Sequence, residues 1–99
     1  TMGDNQAAEA LFREVLEARR RTLGSEHADT LVSMVTLAQH YLRVGRFNDG
    51  LPLAIGAAEG LARSLGAGHR YTRNARRTVV RLYEAAGRAD EASPWRDAP

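Results

Sequence analysis

Apolar residues along this chain follow helical spacing, and no segment alternates apolar and polar with the period of two that a half-buried strand requires. The pattern is plainest over 70–86. There Ala75, Val79, Leu82 and Ala86 fall on one face, Tyr71 and Tyr83 flank it, and arginines occupy the opposite side. The periodic runs are cut by glycine. Leu23-Gly24 and Leu65-Gly66 read as helix stops, because glycine takes the left-handed C-cap conformation at little cost. Gly45-Arg46 and Gly87-Arg88 mark tighter turns downstream. Asp29 or Thr30, and Thr72 further on, offer oxygens for the N-cap or first turn of the next helix. The expected elements are helices near 5–22, 28–44, 47–65, 70–86 and 89–96. Such short connections force neighbouring helices antiparallel.

The turns themselves repeat. Thr22-Leu23-Gly24-Ser25-Glu26-His27-Ala28-Asp29-Thr30 returns as Ser64-Leu65-Gly66-Ala67-Gly68-His69-Arg70-Tyr71-Thr72, 42 residues later. The same shift aligns Leu11 with Leu53, Thr36 with Thr78, Tyr41 with Tyr83, Gly45-Arg46 with Gly87-Arg88 and Pro52 with Pro94. Each period holds two helices and two turns, with periods near 7–48 and 49–90. Pro52 and Pro94 sit early in their helices, where each removes a backbone donor. Gly50, Gly56 and Gly60 weaken the 47–65 helix by about 1 kcal/mol each relative to alanine, so packing must hold it. With Ala54, Ala57 and Ala58 they give it a low profile that admits close neighbours. The fold class expected is all-α: an antiparallel helical-hairpin solenoid.

Composition narrows the function. Ninety-nine residues fit one small domain, residues 1–99, and leave no room for separate catalytic and cofactor domains. The absence of cysteine excludes a disulfide scaffold, a thiolate metal site and a cysteine nucleophile. No apolar run approaches a bilayer span, and no signal-peptide core opens the chain. A soluble, cytoplasmic protein is therefore expected. All fourteen basic residues are arginine, which fits a GC-rich genome, and the formal net charge of +2 is too small to argue for nucleic acid.

Leu-Gly-x-x-His-x-x-Thr, followed by Leu37-Ala38-x-x-Tyr41 and Gly45-Arg46-Phe47, resembles a tetratricopeptide repeat of the longer, kinesin-light-chain-like type. The second copy keeps Tyr83-Glu84-x-x-Gly87-Arg88-x-Asp90-Glu91-Ala92. The resemblance covers residues 7 to 96 and implies a non-catalytic interaction module or scaffold, of the kind found in bacterial regulatory proteins. It also implies a concave groove lined by the first helix of each pair. Three features of the family pattern are replaced. Ala28 and Arg70 replace a proline, and Gly50 replaces an alanine. Val35-Thr36 and Arg77-Thr78 stand where related arrays carry the asparagines that hydrogen-bond a bound peptide.

The fourth helix carries the strongest charge pattern. Arg70, Arg73, Arg77 and Arg81 share one side of it, with Arg76 nearby and no acid before Glu84. The repeat register places Arg73, Asn74, Arg77, Thr78 and Arg81 on the groove side. Leu31, Val32, Val35, Thr36, Gln39, Leu42 and Arg43 continue that face one repeat earlier. The resulting partner site comprises Val32, Val35, Thr36, Gln39 and Arg43 at an apolar end, with the fourth-helix residues at a cationic end. It suits a peptide or partner helix with acidic or phosphorylated residues, since arginine forms bidentate contacts to both. The competing view is a solvated face whose arginines pair with Glu26, Asp29, Asp49 or another chain. Arg19-Arg20-Arg21 reads as helix-dipole compensation, with Glu14 and Glu17 in pairing range.

No catalytic constellation is present. His27 and His69 are repeat-equivalent turn residues, each expected to bond a turn carbonyl, and with His40 they lack further ligands at metal spacing. No nucleophile elbow, phosphate-binding glycine loop or aromatic platform for single strands occurs. No catalytic residue, metal or cofactor is assigned, and nucleic acid is disfavoured as a partner. Trp95 is expected to cover the end of the core. Thr1 to Asp4 read as the cut edge of a longer chain and Trp95 to Pro99 as a natural end. On that view the segment closes a longer array, and its open N-terminal edge drives self-association. A homo-oligomerising structural segment and an anion-binding surface remain as alternatives.

Overall fold

Glycine makes every reversal of the chain. Gly24, Gly45, Gly66 and Gly87 take φ values of +94°, +86°, +96° and +76°, and no other residue type has positive φ among the described residues. These turns separate five helices in the computed structural model, which describes residues 2–96. They are α1 (Met2–Leu23), α2 (Ala28–Val44), α3 (Phe47–Leu65), α4 (Arg70–Ala85) and α5 (Ala89–Arg96). There is no strand among the described residues. The boundaries follow the apolar periodicity closely, although α1 begins at Met2 rather than near residue 5. The expectations placed on Thr1 and on Asp97 to Pro99 lie outside the described residues.

The starts of α2 and α4 correct one detail. The N-caps are His27 and His69, not the following Asp or Thr. Each imidazole Nδ1 accepts a hydrogen bond, at 3.0 Å, from the backbone N–H two residues on, Asp29 or Tyr71. The ring therefore satisfies an orphan donor at the helix start instead of donating to a turn carbonyl. Thr72 bonds that carbonyl, its hydroxyl donating to Gly66 O at 2.7 Å.

Consecutive helices pack as neighbours, and α2 also lies against α4, whereas the backbones of α1 and α3, and of α3 and α5, stay apart. Two rows result, with α2 and α4 in one and α1, α3 and α5 in the other. The smallest dimension, 17 Å, matches two layers of helix. The main core lies where α2, α3 and α4 meet. Leu31, Val35 and Ala38 face Leu51, Ala54, Ala58 and Leu61 together with Ala75, Val79 and Leu82. A second cluster, Leu16, Leu37 and Tyr41, joins α1 to α2. Small residues on α3 allow this proximity. A Cβ built on Gly50 would lie 3.0 Å from Leu82 Cδ2, 3.1 Å from Ala38 O and 3.2 Å from Tyr41 Cβ.

Polar contacts stitch α1 to its neighbours. Arg19, read from sequence as dipole compensation, instead donates to Ser33 Oγ at 2.7 Å across the α1–α2 seam. Arg20 pairs with Glu17 at 2.7 Å as expected. Around the buried Tyr41, its hydroxyl donates to Glu9 Oε2 at 3.1 Å and accepts from Arg13. Arg46 bonds Glu9 Oε1 at 2.7 Å. Partial burial pushes the Glu9 carboxyl up, but the hydrogen bonds from Arg13 and Tyr41 and the charge of Arg46 outweigh it, holding the group below its ordinary value of 4.5. A depressed carboxylate stabilises the fold above its unfolded pKa, and that contribution disappears as pH falls through the folded one. Urea unfolding midpoints should therefore drop as pH falls below 4.5, and Glu9→Gln should flatten that drop. The variant should also lose on the order of 1 kcal/mol at neutral pH. An unchanged acid profile in Glu9→Gln would remove Glu9 as its source.

Candidate functional site

The sequence-derived site divides into three parts. Val35 and Thr78 are interior: Val35 is 4% exposed in the main core and Thr78 3% exposed between α2 and α4. Gln39 Nε2 reaches Thr78 Oγ1 at 3.3 Å, tying α2 to α4. Thr78 in turn donates to Asn74 O at 3.0 Å, and Thr36 to Val32 O at 3.1 Å, so both hydroxyls are held by their own helices. What remains open on the α2–α4 face is half-buried Val32, Thr36 and Gln39 with exposed Arg43, Asn74 and Arg81. Arg43 donates to His40 Nδ1 at 3.1 Å.

Arg73 and Arg77 belong to a different surface. With Arg76 they line a cleft of about 530 Å³ between α4 and α5, whose other walls include Val80, Trp95 and Arg96. The repeat explains why. The 42-residue shift maps Arg73 and Arg77 onto Leu31 and Val35, which are 1% and 4% exposed. Those two residues face α3 and α4 rather than the groove, so the stripe turns from the α2–α4 face onto the edge formed by α4 and α5. Sequence reasoning missed Arg76, Val80 and Arg96 as parts of this surface, and assigned Trp95 only to covering the core. The signal was present, because Met34, Ala38 and Leu53 are the apolar counterparts of Arg76, Val80 and Trp95 in the first copy.

The charges in the cleft are held differently from those elsewhere. Arg63 pairs with Glu26 at 2.8 Å and Arg46 with Asp49 at 2.9 Å, so two acids expected to neutralise the stripe serve other arginines. The side chains of Arg73, Arg77 and Arg81 make no ion pair or hydrogen bond among the described residues. Arg76 is fixed in place. It donates to Pro94 O at 3.2 Å, and its guanidinium lies 5.2 Å from the centre of the Trp95 ring. Arg96 reaches Glu84 at 2.7 Å. Among the described residues, the cleft wall thus carries four guanidinium groups and no carboxylate.

Among the described residues, no group of three or more His, Cys, Asp or Glu side chains is placed to hold a metal ion. No described helix is long and apolar enough to cross a membrane. What the surface can do is bind through charge, planar hydrogen bonding and a small apolar floor.

Comparison with known proteins agrees with the architecture. A search of curated proteins finds no match to the sequence. The family model for the tetratricopeptide repeat matches residues 1–49, spanning α1, α2 and the turn into α3. Five helices in two rows, turned by repeating glycines and lacking strand among the described residues, have the form that this match requires. The chain belongs to the tetratricopeptide repeat family, whose helical repeats generally mediate protein–protein interaction or scaffolding and are generally non-enzymatic.

Proposed function

We propose that this chain is a docking module in a cytoplasmic assembly that holds an acidic or phosphorylated segment of a partner protein against its arginine-bearing helix. Residues 1–99 act on this reading as one binding body, with Val32, Thr36 and Gln39 at the apolar end. Arg43, Asn74 and Arg81 supply the polar end of that face, and Arg73 and Arg77 carry the cationic surface on into the neighbouring cleft. One observation carries the reading: Arg73, Arg77 and Arg81 stand on a well-packed helix with no intrachain partner among the described residues. Like charges on one helix face repel, by about 0.2–0.5 kcal/mol per pair, so an unneutralised row costs stability unless a ligand uses it.

The experiment is a titration of a fluorescent acidic peptide against the chain and its Arg73→Gln/Arg77→Gln/Arg81→Gln variant. Losing three charge contacts should weaken binding by about 10-fold or more while leaving the melting temperature unlowered or slightly raised, because the three side chains hold no intrachain partner and their mutual repulsion is relieved. Equal affinity of both proteins would sink the reading. A steep fall with salt, together with indifference to peptide sequence, would favour a general anion surface.

A second reading rests on α1. Leu11 and Val15, one helical turn apart, are 60% and 45% exposed. An apolar pair of this kind suits self-association. A light-scattering mass that stays monomeric at high concentration would count against it.

A further inference from the structure

In the first copy of the repeat, the side of α2 that looks along the stack is consumed by the next hairpin. Leu31, Val35 and Ala38 are each buried and share a core with Ala75, Val79 and Leu82 of α4. Forty-two residues later the corresponding positions are Arg73, Arg77 and Val80, and they border open space. The backbone offers the seat of a helix, but the side chains that would grip an apolar helix have become arginines. Capping a helical stack requires a polar outer face. A cap alone would be served by mixed charges, whereas the described residues lining this cleft include four arginines and no acid.

We infer that the cleft between α4 and α5 is a docking site for an acidic amphipathic helix of a partner protein. This rests on the docking function proposed above and names where the acidic partner sits and in what conformation. Shape argues for a helix, because the equivalent space in the first copy is filled by α4 itself. Spacing argues for carboxylates one turn apart. Arg73 and Arg77 are an i, i+4 pair, and such positions lie about 5–6 Å apart on any helix, so two carboxylates at i, i+4 meet them in register. Chemistry argues for carboxylate, since planar guanidinium groups bind it bidentately. Arg76, held over Trp95 and bonded to Pro94 O, presents its charge already positioned. Val80 and the Trp95 ring provide a floor for one apolar side chain of the incoming helix.

Trp95 is the only tryptophan in the chain, so its fluorescence reports occupancy of this cleft and of nowhere else. The probe is a synthetic amphipathic helix with glutamates one turn apart flanking leucine. Its controls are the same helix with glutamine for glutamate, an acidic peptide of equal composition broken by proline, and a short DNA duplex. The acidic helix should change Trp95 emission saturably, and the glutamine and proline versions should bind about 10-fold more weakly or worse. Arg73→Glu/Arg77→Glu should lose about 10-fold or more, and the milder Arg73→Gln/Arg77→Gln should lose less, with circular dichroism melts confirming both folds. Arg21→Glu, in the last turn of α1 and outside both the α2–α4 face and the cleft, should stay within about threefold of the unaltered protein.

Binding without a Trp95 response that is abolished by Arg43→Glu/Arg81→Glu would overturn the cleft assignment and leave the docking function standing on the α2–α4 face. Equal binding of the proline-broken peptide would overturn the helical conformation. Equal binding of the duplex would replace a protein partner with a general anion. Failure of every peptide to bind would overturn both this inference and the function on which it rests.

Discussion

Replacing Gly50 with valine is expected to destabilise the protein by about 3 kcal/mol, a large part of the roughly 5–15 kcal/mol that holds a domain together. Gly50 lies where α2 and α4 both close on α3. Its missing Cβ would stand 3.1 Å from the carbonyl oxygen of Ala38 and 3.2 Å from Tyr41 Cβ, atoms that cannot move without moving α2. Urea denaturation measures the loss, and a variant as stable as the parent would show that the three-helix junction is looser than its distances imply. Gly56 supplies the opposite sign. A Cβ there meets only the flexible end of Met34, at 3.3 Å. Gly56→Ala should therefore keep the gain in helix propensity, up to about 1 kcal/mol, and raise the melting temperature. Two glycines on one helix with opposite expected responses separate close approach from mere flexibility.

The second large effect concerns association. Arg73→Leu with Arg77→Val installs at the open edge the residues that occupy the equivalent positions 31 and 35 in the first copy. Each buried Leu or Val side chain contributes about 1.5–3 kcal/mol when removed from water, and the like charges that keep two such edges apart are lost at the same time. The double variant should show a mass by light scattering that rises with concentration, accompanied by a blue shift of Trp95 emission. The parent edge, with its four arginines, should show neither change through this face. A variant that remains at the parent's mass would mean that the cleft cannot accept a stacked helix, and would weaken the inferred helical partner with it.

Local features were legible in the residues because they obey local rules. Gly24, Gly45, Gly66 and Gly87 lie at the helix ends, where a positive φ costs glycine little, and all four adopt one. The period of 42 and the antiparallel pairing follow from turn spacing alone, and the apolar faces follow from the 3.6-residue repeat. Even so, one local choice was misread. Imidazole at the N-cap is less common than a hydroxyl or carboxylate, so His27 and His69 looked like carbonyl partners when they are helix starters.

The surface chemistry was only half legible. Helical periodicity groups Arg70, Arg73, Arg77 and Arg81 on one side of α4, but the side of a helix is a direction and not a destination. Where it leads depends on the angle at which α4 crosses α2 and α5, and that angle is set by volumes at contacts far apart in sequence, such as Gly50 against Leu82 and Gly60 against Leu31. The same packing buries Val35 and Thr78 and leaves Val32 and Asn74 partly or fully open. It brings Trp95 and Arg96 beside Arg76, a meeting that spacing along the chain does not announce. The number and order of the helices, their turns and the one-sidedness of the arginine row are thus properties of the chain read alone, because each depends on neighbours within a few turns. The division of that row between an α2–α4 face and a cationic cleft belongs to the tertiary structure. It arises from long-range packing, which decides what each side of a helix meets.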